Sequence, residues 1–276
     1  MLAWLEVVEA ARHPLTGKPL AKRSKANMVA AVSAFYTWAM QDGHTEVNPV
    51  GLVNRKKKGL NTSKDRSPTR SLDRHETHAM LKAADNDPDE SVRSRTAAIV
   101  ALLWEVGLRV GELCNATLAD MYVQQGKRVL HVVLKGKKDH LFALPDPVCR
   151  RIDAYLASRQ DLDLLPARRG EVNASTTPLF VTNTGKPMNR MEVWRLIKRI
   201  AKLAGVDHQE SMSPHVARHT FITEARRQRR ASEEIKDYIG HEFVSTTDRY
   251  GKHVVNLENS PFFAVAEAFE AVGDDN

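Results

Sequence analysis

A chain of 276 residues is long enough for one large domain or two of ordinary size, and its net charge of +7 suits a polyanionic partner. Its two cysteines lack CxxC spacing, which argues against a disulfide framework and a cysteine-ligated zinc site. No segment has the length of a membrane span or the pattern of a signal peptide, so we expect a soluble cytoplasmic protein.

The first 62 residues predict a small helical domain. Within them, "SKANMVAAVSAFYTWAMQDGH" predicts a helix that has Met28, Val32, Phe35 and Ala39 on one face. The stretch from Asn54 to Arg70, "NRKKKGLNTSKDRSPTR", contains seven Lys and Arg and almost no apolar residues. It predicts a charged linker, with the domain boundary near residue 62.

Residues 63–276 predict a larger, mixed α/β domain that is mostly helical with a small antiparallel sheet, so the fold class is mainly α. "SLDRHETHAMLKAAD" predicts a helix capped by Ser71, and "SRTAAIVALLWEVG" predicts an apolar central helix that ends at Gly107. "RVLHVVL" and "HLFALP" predict two strands joined by the basic turn "KGKKD", and "PLFVTNTGKPM" is a candidate third strand. Later helices are predicted for "NRMEVWRLIKRIAKLAG", "SEEIKDYIG" and "SPFFAVAEAFEAV".

The segment "SPHVARHTF" predicts another helix, with Ser213 as its N-cap. Such a helix presents His215 and Arg218 on one face, near backbone N–H groups that favour an anion. The segment "YIGHEFVSTTDRY" adds His241 and Tyr250 soon afterwards. The basic and histidine residues of these two segments are therefore candidates for a functional site.

Three explanations of this cluster are open. The first is a basic helical surface with incidental histidines. The second is a metal site, because His215 and His219 have i,i+4 spacing, although "HVARH" lacks the glutamate of HExxH and Arg218 would lie beside the ion. The third is phosphoryl transfer, in which His and Arg bind a phosphate that Tyr250 attacks.

Phosphoryl transfer requires further cations. The transition state spreads negative charge over the non-bridging oxygens, which a second arginine can bind, and a lysine can protonate the leaving oxygen. "WEVGLRVGEL" supplies Arg109, with Glu112 three residues later to orient it. "LKGKKD" supplies Lys135, with Lys137 as the alternative. A free tyrosine, with a pKa near ~10, also needs a base or cations beside it to attack at neutral pH.

In order and spacing, these segments resemble the tyrosine recombinase family, which includes the phage integrases and the Xer-type recombinases. The resemblance rests on "GLRVGEL" followed by Asp120, on "LKGKK" before "ALP", and on "LFVTNTGKPM", "SPHVARHTF" and "IGHEFVSTTDRY". It covers roughly residues 70–255, and "WAMQDGHTEVNPV" is similar to the end of the family's core-binding domain. Ala217 and "RRQRRASEE" depart from the family pattern, which concerns packing and not the reacting groups.

The resemblance implies a reaction without metal or cofactor. The implied catalytic residues are Arg109, Lys135, His215, Arg218, His241 and Tyr250. Tyr250 is the nucleophile and forms a 3′-phosphotyrosyl bond with one DNA strand, while the two arginines bind the scissile phosphate and the lysine protonates the 5′-oxygen. His215 assists proton transfer and His241 binds the phosphate. Glu112 and His219 are supports, and His219 can equally be a core residue.

The implied partner is double-stranded DNA, held between the two domains. The residues expected to contact its backbone are Lys22, Arg23, Lys25, Arg55, Lys56, Lys57, Lys58 and Lys137. Alternatively, Lys56–Lys58 form only a solvated linker. The resemblance also suggests a homotetramer on two duplexes, with the C-terminal helix docked either on a neighbouring subunit or on its own domain. The short N-terminal domain fits a truncated or a compact family member.

The sequence therefore predicts a site-specific DNA recombinase or integrase of a phage or other mobile element, associated with the nucleoid. A catalytically inactive DNA-binding relative is the first alternative, and a metal-dependent nuclease is the second. A type IB topoisomerase shares the chemistry and is the third.

Overall fold

The computed structural model describes residues 2–52, 70–134, 138–159, 174–228, 235, 238–239 and 261–271. The chain divides into two compact units, Met1–Pro68 and Thr69–Asn276. The boundary near residue 62 stays a prediction, because residues 53–69 of the charged segment lie outside the described residues. None of the described helices combines the length and the apolar character that crossing a membrane requires.

Within residues 2–52, the first unit has two helices, α1 (Leu2–Ala10) and α2 (Lys22–Gln41). Its apolar core consists of Leu5, Val8, Val29 and Val50. The predicted helix is confirmed, but the apolar residues on that face are not all buried, since Met28 and Phe35 are 40% and 57% exposed. The stripe that packs on this core runs one residue later, through Val29 and Tyr36, and the ring of Phe35 packs against those of Tyr36 and Trp38 on its own helix.

The second unit is mostly helical. The helices whose bounds lie within the described residues are α3 (Arg74–Asp85), α4 (Glu90–Trp104), α5 (Val110–Asn115), α6 (Asp146–Ala157), α7 (Arg190–Leu203), α8 (Pro214–Arg227) and α9 (Pro261–Glu270). The segment Ala97–Trp104 of α4 is buried on every side, which confirms the predicted central helix. The cap predicted for α3 is wrong, because Asp73 and Glu76 form a capping box there instead of Ser71.

One antiparallel sheet of three strands completes the second unit: β1 (Met121–Gln124), β2 (Lys127–Leu134) and β3 (Lys138–Ala143). Strands β2 and β3 are the two predicted strands. The third is β1 and not "PLFVTNTGKPM", which forms only isolated bridges at Pro178 and Pro187, where proline has no N–H for a ladder. Gln125 and Gly126 both have positive φ, which suits the two-residue turn between β1 and β2.

The C-terminal helix α9 packs on its own unit in this structure. The ring of Phe262 lies 5.4 Å from that of Phe142, 5.5 Å from that of Phe221 and 5.9 Å from that of Tyr238. Tyr238 is buried. The apolar face of α9 is therefore part of the same core as the sheet and α8.

Candidate active site

Arg109 and Glu112 form a rigid pair at the start of α5. Arg109 is the N-cap residue, and both its backbone N–H and its Nη1 donate to the Glu112 carboxylate at 2.7 Å. The Glu112 side chain is only 7% exposed, whereas that of Arg109 is 39% exposed. The contact fixes the guanidinium through one terminal nitrogen and leaves part of the side chain accessible to solvent, which is the arrangement needed to bind an anion.

Arg218 lies beside this pair, on the buried face of α8. Its Nη1 donates to the carbonyl of Gly107 at 2.6 Å, and its Nη2 donates to the carbonyl of Ile239. Burial, followed by the nearby positive charge of Arg109, lowers the pKa of Arg218 to about 10. Two guanidiniums that repel each other in a poorly solvated place favour an anion between them.

Gly107 makes this close approach possible. Its φ of +71° lies in the left-handed region that glycine adopts without strain. A Cβ added at this position would lie 2.7 Å from Cδ1 of Phe221, on the same helix as Arg218. The turn that brings the Gly107 carbonyl to Arg218 therefore requires glycine for two independent reasons.

We expect Gly107→Ala to lower the free energy of unfolding by about 2–4 kcal/mol, since it adds overpacking to the cost of a positive φ. Gly126→Ala is the matched control, because Gly126 has a φ of +73° but nothing within 4 Å of an added Cβ. It should cost only about 1 kcal/mol. Urea unfolding of both variants measures the difference, and equal losses would show that contact with Phe221 is unimportant.

The two histidines of "HVARH" lie on α8 in different surroundings. His215 is exposed in the first turn of the helix, after Ser213 and Pro214. His219 is partly buried, and its Nδ1 has no hydrogen-bond partner among the described residues. Burial, then the charges of His215 and Arg226, lowers the pKa of His219. The described part of the chain contains no group of three His, Cys, Asp or Glu residues placed to hold a metal.

Several predicted site residues lie outside the described residues. These are Lys135, Lys137, His241, Tyr250, Arg55, Lys56, Lys57 and Lys58. The elements before and after them are described: Leu134 and Lys138 pair across β2 and β3, and Ile239 precedes the glycine before His241. Of the predicted catalytic and supporting residues, the structure therefore brings together Arg109, Glu112 and Arg218, and places His215 and His219 on the helix of Arg218.

The basic residues predicted at the start of α2 differ in their contacts. Lys22 and Arg23 are exposed, whereas Lys25 donates from Nζ to the carbonyl of Glu9 at the end of α1. This contact ties α1 to α2. Lys22 and Arg23 thus present free charge to a partner more readily than Lys25, and contact with DNA stays a prediction for all three.

Sequence reasoning missed His140, which the structure places beside the arginines. His140 is partly buried on β3, and its Nε2 lies 2.7 Å from the carbonyl oxygen of Tyr238. The pKa of His140 is lowered, mainly by burial. Among the nearby charges, Glu112 raises this pKa, whereas Arg218 and Arg109 lower it. The available signal was strand alternation, because His140 and the buried Phe142 share one face of β3.

Comparison with known proteins gives one consistent result. Residues 70–256 match the model of the phage integrase family. The tyrosine recombinase XerD of Xanthomonas axonopodis pv. citri is 31% identical over 229 residues, which cover 83% of this chain and 71% of that protein. The tyrosine recombinase XerC of Thermodesulfovibrio yellowstonii is 27% identical, with coverage of 88% and 76%.

Solved structures show the same fold. The post-cleavage complex of the XerH site-specific recombinase with its palindromic difH substrate superposes with a TM-score of 0.66 at 15% identity, covering 99% of this chain and 72% of that chain. The Tn1549 transposon integrase in complex with circular intermediate DNA gives a TM-score of 0.60 at 20% identity, covering 82% and 73%. The matched residues include both arginines and the whole sheet, and the chain therefore belongs to the phage integrase family of tyrosine recombinases.

Proposed function

We propose that the chain is a site-specific DNA recombinase that cuts and rejoins DNA by two transesterifications. The observation that carries this proposal is the pair formed by Arg109 and Arg218, because both are oriented by protein contacts, and because burial and then the charge of Arg109 lower the pKa of Arg218. A phosphodiester can accept hydrogen bonds from both guanidiniums, and the additional negative charge of its transition state would balance the second cation. The relatives that carry the recombinase name, and those solved with DNA, support DNA as the source of that phosphate.

In the proposed first step, the phenolic oxygen of Tyr250 attacks the scissile phosphorus and loses its proton towards His215. The bond from phosphorus to the 5′-oxygen breaks, and Lys135 protonates this leaving oxygen. The product is a 3′-phosphotyrosyl linkage and a free 5′-hydroxyl. The 5′-hydroxyl of another strand then attacks the linkage and restores both a phosphodiester and the phenol. Since each step exchanges one phosphate ester for another, no ATP is consumed.

Arg109 and Arg218 have one common task in this scheme, which is to balance the charge on the non-bridging oxygens of the transition state. Glu112 keeps Arg109 in place, and the carbonyl of Gly107 does the same for Arg218. Preorganised donors of this kind lower the barrier because they need no rearrangement when charge develops. We propose that His241 adds a further hydrogen bond to the phosphate.

The proposed assembly is a homotetramer on two duplexes, because exchange between two duplexes requires four strand cleavages and each chain has one Tyr250. Exposed Lys22 and Arg23, with the charged linker, would contact the DNA backbone. Docking of α9 on a neighbouring subunit requires the contacts of Phe262 with its own unit to open. A protein with this task acts at the nucleoid.

Covalent trapping tests the proposal. Duplexes that bind the protein are selected from random DNA fragments, nicked near each candidate position and incubated with the protein, and adducts are resolved on a denaturing gel. We expect an adduct with the wild type and none with Tyr250→Phe, because phenylalanine lacks the phenolic oxygen that would form the bond to phosphorus. Tyr122→Phe is the matched control, since Tyr122 is 41% exposed on β1, and it should form the adduct normally.

The same assay distinguishes the alternatives. DNA binding without any adduct would favour an inactive relative. Cleavage that EDTA abolishes and that survives Tyr250→Phe would favour a metal-dependent nuclease. Relaxation of supercoiled DNA without a specific sequence would favour a type IB topoisomerase.

A further inference from the structure

Two consecutive backbone carbonyls are held by two side chains from different elements. The carbonyl of Tyr238 accepts from Nε2 of His140 at 2.7 Å, and the carbonyl of Ile239 accepts from Nη2 of Arg218. His140 lies on β3, whereas Arg218 lies on α8. The backbone at this point is therefore fixed from two directions by groups 78 positions apart in sequence.

The assignment of the donor follows from chemistry. A carbonyl oxygen can only accept, so Nε2 of His140 carries the hydrogen. Its ring also packs edge-on against Phe142, with centroids 4.8 Å apart, which limits its rotation. Burial and the two nearby arginines favour the neutral imidazole, so that the bond does not add a third positive charge to the site.

Packing holds the same short segment from a third side. The ring of Tyr238 meets the ring of Phe262 edge-on at 5.9 Å, and the N–H of Ile239 donates to the carbonyl of Ile235 at 3.0 Å. Both Tyr238 and Ile239 are buried. His241 is two positions beyond Ile239, so chain length alone keeps its Cα within about 7 Å of this anchor.

We infer that His140 is a positioning residue, which together with Arg218 fixes the backbone at Tyr238 and Ile239 and thereby sets where the chain that carries His241 and Tyr250 begins. The inference rests on the proposed function for its catalytic consequence. Among the described residues, the hydrogen bond of His140 is to a backbone carbonyl, and we infer that it acts through the backbone. It also links this anchor to β3, the strand that begins three positions after Lys135 in the sequence.

The test compares two substitutions of His140. His140→Leu keeps an apolar side chain of moderate size and removes the donor, whereas His140→Gln keeps an amide N–H at a similar distance from the backbone. We expect the single-turnover rate of adduct formation on a nicked duplex to fall about 10- to 100-fold in His140→Leu, since misplacing a reacting group by ~1 Å has such effects. His140→Gln should stay within about threefold of the wild type, and both should bind the duplex like the wild type.

A second measurement does not depend on activity. Hydrogen exchange of a peptide that contains Ile235–Ile239 should become at least about tenfold faster in His140→Leu than in His140→Gln, because opening this segment no longer breaks a hydrogen bond. Exchange in α7 should be unchanged in both. This comparison decides the positioning role even if the wild type forms no adduct, which would contradict only the proposed function.

Equal exchange in the two variants would overturn the inference. An adduct-forming wild type with a His140→Leu variant of the same rate would also overturn it. Equal losses of rate in both variants would assign His140 to packing and not to the hydrogen bond. A selective loss in His140→Leu, with unfolding midpoints that agree between the variants, supports the inference.

Discussion

Arg109→Ala is expected to reduce the rate of covalent adduct formation about a thousandfold and to leave DNA affinity within a few fold of the wild type. The reason is that Arg109 contributes one of two oriented guanidiniums, whereas we expect affinity to depend on phosphate contacts shared among many of the 41 Lys and Arg residues. The measurement is single-turnover cleavage of a nicked duplex at saturating protein, with affinity determined separately by titration.

Two further substitutions define the role. Arg109→Lys keeps the charge but loses the planar fork, so we expect an intermediate loss of about a hundredfold. Arg150→Ala is the control for charge, because Arg150 is an exposed arginine on α6. It should cleave like the wild type. If Arg109→Ala abolishes binding while each bound complex still cleaves normally, Arg109 contributes to affinity and not to the transition state.

Local signals made several elements of the site's scaffold predictable. The helix of "NRMEVWRLIKRIAKLAG" begins where Asn189 and Glu192 form a capping box, which involves only residues three positions apart. The helix of "SPHVARHTF" begins at Pro214, whose fixed φ suits the first turn. The contact between Arg109 and Glu112 likewise spans three positions. Signals of this range can be read from the sequence without knowledge of the tertiary structure.

Features that depend on distant partners were not predictable. The buried face of α2 is set by the helix that packs on it, and a shift of one residue leaves the helical periodicity almost unchanged. Strand β1 has one partly buried and three exposed residues, so its composition shows little alternation, and pairing with β2 is what makes it a strand. The hydrogen bond of His140 is to the carbonyl of Tyr238, which lies 98 residues later in the chain.

Glu105 is the clearest case of such dependence. In the sequence, Glu105 is a charged residue that interrupts an apolar stretch, and this charge argues against a membrane span. In the structure it is fully buried at the end of α4, 3.3 Å from Nη1 of Arg151 on α6. Arg151 also pairs with Asp85 at 2.8 Å and with Glu270 of α9 at 2.9 Å. The guanidinium of Arg151 thus lies within ion-pair distance of three carboxyl groups, which belong to α3, to the end of α4 and to α9.

Of these three carboxyl groups, that of Glu105 is mostly protonated at neutral pH. Burial raises the pKa of Glu105 to about 8, since the attraction of Arg151, supplemented by Arg150, is offset by the charges of Glu270 and Asp85. The Oε2 atom of Glu105 has no hydrogen-bond partner among the described residues, which is tolerable for a neutral carboxyl but costly for a carboxylate. Asp85 and Glu270 are more exposed and can supply the negative charge that Arg151 needs.

Stability should therefore fall as pH rises from about 5 to about 8. The folded state retains the proton of Glu105 up to a pKa of about 8, whereas the unfolded state loses it near the ordinary value of 4.5. Between these values the folded state binds more protons, so each pH unit lowers the free energy of unfolding by about 1.4 kcal/mol, and the total is at most about 4–5 kcal/mol. Above pH 8 this contribution is constant.

Glu105→Gln isolates the effect, because glutamine has the shape of the neutral carboxyl and cannot ionise. We expect the variant to resemble the wild type at pH 5 and to exceed its free energy of unfolding by about 2–4 kcal/mol at pH 8.5. Urea unfolding at the two pH values measures this difference, and titration of the histidines cancels because both proteins contain them. Glu267→Gln, in an exposed position of α9, is the control and should show no such difference. A variant less stable than the wild type by the same amount at both pH values would mean that Glu105 is ionised throughout and that its pair with Arg151 stabilises the junction of α4, α6 and α9.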